Sequence, residues 1–98
     1  MEKKYFFLKL LPPRESFVLD MTPEERNIML EHISYWAPYV EKGIMVAMGP
    51  VMAPDGGYGI GIIEVDTREE LDTLLANDPA TKLHHYEVYS MPALSRYR

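Results

Sequence analysis

From Tyr5 to Leu11 the chain is apolar and aromatic, broken only by Lys9, and it stops at Pro12-Pro13. That run and its stop predict a first strand. Pro12 to Met21 reads as a loop, with Arg14 and Phe17 its most distinctive side chains. Thr22-Pro23-Glu24-Glu25 then marks a helix start. The Thr22 hydroxyl can accept from the Glu25 backbone while the Glu25 carboxylate reaches back, and a proline at the first helical position gives up no hydrogen bond. The predicted helix runs to Lys42 and ends at Gly43. At about 100° per residue, Ile28, Met29, His32, Ile33, Trp36, Tyr39 and Val40 share one broad arc, and Asn27, Glu31, Ser34, Pro38 and Glu41 the other. Pro38 removes one backbone bond and bends the helix on the face assigned to solvent, where a bend is tolerable.

Ile44 to Met48 is a short apolar run, read as the second strand, with Gly49-Pro50 ending it. Ala53-Pro54-Asp55-Gly56-Gly57 supplies turn chemistry, and Tyr58 to Val65 forms the third strand. One face of that strand carries Gly59, Gly61, Ile63 and Val65, so two side chains are missing from it. Thr67-Arg68-Glu69-Glu70 repeats the capping pattern and opens a second helix bearing Leu71, Leu74 and Leu75, which has to end before Pro79. His84 to Met91 alternates as a half-buried fourth strand, and Pro92 to Arg98 reads as a C-terminal extension of a single domain spanning 1–98. The order β-α-β-β-α-β predicts an α+β, ferredoxin-like fold: a four-stranded antiparallel sheet with two helices on one face. The other face is left bare. A second copy of the chain is the usual cover for an apolar sheet face, so a homodimer by sheet-face packing is expected.

Composition narrows the function. Ten basic against 15 acidic residues give a net charge of −5, which argues against a nucleic-acid partner. The absence of cysteine removes disulfides, thiolate metal sites, iron–sulfur clusters and cysteine nucleophiles. The N-terminal apolar stretch is too short and interrupted for a signal-peptide core and falls well short of the ~20 apolar residues of a spanning helix. A cytoplasmic protein with no membrane partner is the expectation.

His32 sits in the middle of the apolar arc, between Ile28 and Trp36. Such a histidine is either a satisfied core side chain or one facing a cavity where its proton is used. Asp78, in Asn77-Asp78-Pro79, reads first as a helix terminator. A carboxylate at a helix C-terminus is disfavoured by the dipole, however, and needs a compensating donor. Paired with His32 it would fix the imidazole tautomer and raise its basicity, the relation of an orienting acid to a general base. Other signals are weaker. His84 and His85 point to opposite faces of a regular strand, and the three histidines lack metal-site spacing, so no metal is expected. Gly56-Gly57-Tyr58-Gly59-Ile60-Gly61 has no following lysine or helix and reads as a hairpin rather than a phosphate loop. The seven methionines read as core filler.

Taken in order, these pieces resemble the YCII-related (YciI-like) family of the dimeric α/β-barrel superfamily. The matching pieces are Asp20-Met21-Thr22, Ile28-Met29, Glu31-His32, Tyr35-Trp36, Gly43, Gly49-Pro50-Val51, Gly56-Gly57-Tyr58-Gly59, Asn77-Asp78-Pro79-Ala80 and Tyr86-Glu87-Val88. The resemblance implies a pocket lined by a helix-one histidine and an aspartate before proline, here His32 and Asp78. One branch of that family removes chloride from a chlorinated hydroxyquinol, a lyase-type step suited to a His–Asp pair with no cofactor. On this reading Arg14, Tyr35, Trp36 and Tyr58 are expected to contact substrate, Arg14 by holding an anionic substituent. The resulting expectation is a cofactor-independent enzyme acting on a small cyclic or aromatic polar molecule. The alternative is a non-catalytic small-molecule-binding or stress-associated dimeric module.

Overall fold

The computed structural model describes residues 3–92. Its elements run β1 (Lys4–Leu11), α1 (Phe17–Asp20), α2 (Pro23–Glu41), β2 (Met45–Ala53), β3 (Gly56–Val65), α3 (Arg68–Ala76), a 3₁₀ turn (Pro79–Lys82) and β4 (His85–Ser90). The strands form one antiparallel sheet in the order β2-β3-β1-β4, which with α2 and α3 is the ferredoxin-like arrangement. The tail expected at 92–98 lies outside the described residues from position 93 on.

Strand alternation sorts the side chains into two layers. Phe6 and Leu8 of β1 pair with Ile63 and Gly61 of β3, and Leu8 pairs with Val88 of β4. These inner-face positions join Trp36 of α2, Leu71 and Leu75 of α3, Met45 and Val65 in the buried core. The opposite parity places Phe7, Ile60 and Ile62 on the outer face, which no helix among the described residues covers. Among the described residues no helix is long and apolar enough to cross a membrane.

The helix starts follow their local chemistry. Thr22 accepts from the Glu25 backbone and the Glu25 carboxylate accepts from the Thr22 N–H, a complete capping box. Gly43, with φ at +83°, ends the chain's run out of α2 in the left-handed region.

Four features depart from expectation. The loop after β1 contains the one-turn helix α1, seated by the buried Phe17. Strand β2 continues through Gly49-Pro50 to Ala53, because β2 is an edge strand and a proline there can leave its missing donor on the solvent side. The hairpin correspondingly turns on Pro54-Asp55 alone, and β3 begins at Gly56. The apolar stripe of α2 is also narrower than the arc: His32 and Trp36 are buried, whereas Ile33 and Val40 are about half exposed at 57% and 44%.

Candidate active site

Helix α2 presents His32 and Trp36 one turn apart on the same face, and both are buried against the sheet layer. The segment after α3 brings Asp78 to them. As the residue before proline, Asp78 is extended (φ −74°, ψ 124°), and its side chain caps the 3₁₀ turn by accepting from the Ala80 N–H at 2.9 Å. The carboxylate that ends one helix therefore begins the next turn, which removes the dipole penalty foreseen from α3 alone.

Asp78 collects four donors. His32 Nδ1 is 2.9 Å from both carboxylate oxygens, Trp36 Nε1 donates to Oδ2 at 2.9 Å, the Tyr86 hydroxyl donates to Oδ2 at 2.5 Å, and the Ala80 N–H donates to Oδ1. Asp78 is 1% exposed. Burial is the largest influence on its carboxyl and pushes the pKa up. The donors of His32, Tyr86, Trp36 and Ala80 together outweigh it and hold the group below the usual carboxylate range. An ionised Asp78 can only accept, so His32 Nδ1 carries the proton between them. The other ring nitrogen, Nε2, has no hydrogen bond among the described residues. Tyr86 is locked as a donor: burial, then the Asp78 charge, push its phenol far above the ordinary range.

His32 borders a cavity of about 670 Å³ between α2, α1 and the inner face of the sheet. That size lies in the range of small-molecule sites. Its floor is β3, where Gly57, Gly59 and Gly61 occupy inner-face positions. The walls are largely aliphatic, with Leu10, Met29 and Met48 among them, and the polar side chains of His32, His84 and Tyr86 also border the space.

Of the residues singled out in the sequence, His32, Asp78 and Trp36 meet. Trp36 does so from behind, as a donor to Asp78, and it is fully buried. Tyr35 packs edge-on against Trp36 with ring centroids 5.0 Å apart and donates to the Leu74 carbonyl, away from the cavity lining. Arg14 is committed elsewhere. Its guanidinium spans both Glu25 oxygens at 2.8 and 2.9 Å and reaches Asp20 at 2.9 Å. Arg14, helped by the Thr22 N–H, holds the Glu25 carboxyl down to about 2. Tyr58 contributes to the cavity floor through its strand, but its parity puts the ring on the outer face, where Lys9 Nζ lies 4.6 Å above it.

Two contributors were not singled out as site residues. Tyr86 was legible in principle, since β4 alternation places it on the inner face with Val88. His84 lies just before β4 and turns inward, packing edge-on to Phe17 at 4.8 Å, while His85 is exposed. Nothing in the pattern distinguished the two. Among the described residues no cluster of three His, Asp or Glu side chains is arranged to hold a metal ion.

Among solved structures the chain resembles 5-chloro-2-hydroxyhydroquinone dehydrochlorinase (TftG) from Burkholderia phenoliruptrix AC1100, in complex with 2,5-dihydroxybenzoquinone. Identity is 20%, the TM-score is 0.66, and the match covers 94% of this chain and 97% of that one. It also matches SnoaB, a cofactor-independent oxygenase from Streptomyces nogalater, at 14% identity and TM-score 0.49, over 97% and 96% of the two chains. No curated protein matches the sequence. At these identities the likeness to TftG speaks for the fold alone, the ferredoxin-like arrangement described above. The YCII-related domain model matches residues 5–93, nearly the whole chain with both members of the His32–Asp78 pair inside it, and the protein belongs to that family.

Proposed function

We propose that this protein is a cofactor-independent enzyme that uses His32 and Asp78 as an acid–base pair on a small cyclic or aromatic hydroxylated molecule. The observation that carries the reading is the division of labour on the imidazole: Nδ1 is held by a buried, ionised carboxylate, and Nε2 is left unpartnered beside a cavity. In a lyase-type step, His32 Nε2 would take the hydroxyl proton. Acting on the keto tautomer, whose halide-bearing ring carbon is tetrahedral and carries a hydrogen, the O–H electron pair would become a ring carbonyl, the adjacent C=C would shift onto that carbon, and the halide would depart with its bonding pair. The net loss is one hydrogen halide. Asp78 would stabilise the imidazolium until its proton passes to solvent. The likeness to a dehydrochlorinase supports this reaction class. The reading includes a homodimer formed through the outer sheet face, supported by the half-buried Phe7, Ile60 and Ile62 on that face.

The test is a screen of halogenated and plain hydroquinones with the native protein, His32→Gln and Asp78→Asn. Turnover in the native protein that falls at least about 100-fold in His32→Gln, with folding retained by circular dichroism, is expected for a lost general base. A folded His32→Gln with unchanged turnover overturns the proposal. The same four-donor cage also suits a non-catalytic ligand-binding module, and for that reading ligand binding without turnover across the screen is the distinguishing result.

A further inference from the structure

The cavity is too large for a single ring. A dry apolar space of about 150 Å³ is enough to hold a benzene molecule, whereas the space beside His32 measures about 670 Å³. One ring would fill about a quarter of it, and apolar sites are close-packed around the ligands they fit.

The surplus has a direction. Ile33, Ala37 and Val40 follow His32 along one face of α2, and all three border the cavity while standing exposed to solvent. Met48 and Pro50 border it from β2, the edge strand of the sheet. The step of eight residues from His32 to Val40 advances about 12 Å along the helix axis. The space is therefore a trough that starts at the imidazole and reaches solvent between α2 and β2. Among the described residues of α2 and β2 that border it, His32 and the exposed Glu41 at the far end are the polar ones.

A row of exposed aliphatic side chains continuous with a cavity marks apolar surface that is covered when the site is filled. A second copy of the chain suits a broad face, and the outer side of the sheet, with Phe7, Ile60 and Ile62, is that face. The row on α2 is one side chain wide and opens into the cavity, which matches the tail of a small molecule. We infer that the substrate is a hydroxylated ring carrying an uncharged apolar tail, which lies along Ile33, Ala37 and Val40 opposite Met48 and Pro50. The inference rests on His32 marking the ring-binding end, as proposed above.

Equilibrium dialysis of phenol, 4-butylphenol and 4-hexylphenol reads the trough without requiring turnover. In the native protein each added carbon should tighten binding about two- to fourfold, the worth of one methylene leaving water, so that 4-butylphenol binds at least about tenfold more tightly than phenol. Val40→Asp sets a charge in the path of the tail, at an exposed position where it costs little in folding. It should weaken 4-hexylphenol at least about tenfold and leave phenol, which ends short of Val40, within about twofold. Ala37→Phe, which fills the trough with a ring of its own, should remove the tail's gain by volume instead of charge. Four results overturn the inference: 4-butylphenol binding no tighter than phenol, the hexyl gain surviving both variants, no saturable binding of any probe, or a halved sedimentation mass in Val40→Asp, which would give the row to a second copy. Failure of the catalytic reading appears differently, as absent turnover in the His32 experiment with the chain-length series intact.

Discussion

Asp78 shows what one residue can carry when several donors converge on it. It is buried, ionised, and shared by a helix histidine, the chain's single tryptophan, a strand tyrosine and a backbone amide. The His32–Asp78 pairing was legible because an apolar-face histidine and a carboxylate at a helix end each need a partner. The size of the cage was not, since Trp36 was expected to face substrate rather than Asp78, and Tyr86 reads as ordinary strand alternation until the elements are packed. The carboxyl lies below its unfolded value of about 3.9, so the stability it contributes is present above about pH 3.9 and is lost as pH falls through the lower, folded-state pKa. At pH 7, Asp78→Asn should cost about 2–4 kcal/mol, because the amide turns a donor toward donors and leaves buried groups unmatched. Urea unfolding at neutral pH and at about pH 2.5 checks this: the gap between the two proteins should narrow in acid. A variant as stable as the native protein at pH 7 would show the cage to be energetically idle.

At the scale of elements, local chemistry was the better guide. The capping box at Thr22 and the Gly43 stop both stand where residue type alone put them, as does the helix end before Pro79. What residue type could not supply was context. Gly49-Pro50 looks like a strand end, and it becomes strand interior only because β2 lies at the sheet edge, a fact of topology. Ile33 and Val40 have core chemistry, yet the arc that packs on the sheet is narrower than the arc that is apolar. Gly43 offers the cleanest measurement at this scale. A Cβ there would meet no atom within 4 Å, so Gly43→Ala should lose about 1 kcal/mol from the positive φ alone, read as a lower urea midpoint at unchanged m. An Ala variant with an unaltered midpoint would mean that the turn relaxes out of the left-handed region at no cost.

Across the whole molecule, the βαββαβ order was enough to fix the sheet topology, and the bare outer face followed from it. The cavity did not follow, because a missing side chain in a sequence does not say whether a neighbour fills the gap. The proposed dimer makes a direct prediction: Ile62→Asp, on the outer face, should halve the sedimentation mass, whereas a native protein that already sediments as a monomer removes the dimer from the reading. The floor of the cavity has a further meaning for how such a protein changes over time. Gly57, Gly59 and Gly61 leave room that other side chains would take, and they differ in how firmly their surroundings resist a new methyl group. At Gly57 it would meet Val18 of α1 at 2.9 Å, at Gly59 the Leu10 Cβ at 3.3 Å, and at Gly61 the pliable Met45 thioether at 3.2 Å. The contour of the binding space is thus written in a strand that takes no part in holding His32 to Asp78. On the proposed function, a lineage could resize its ligand one methyl at a time, beginning at Gly61, while inheriting the proposed proton chemistry unchanged.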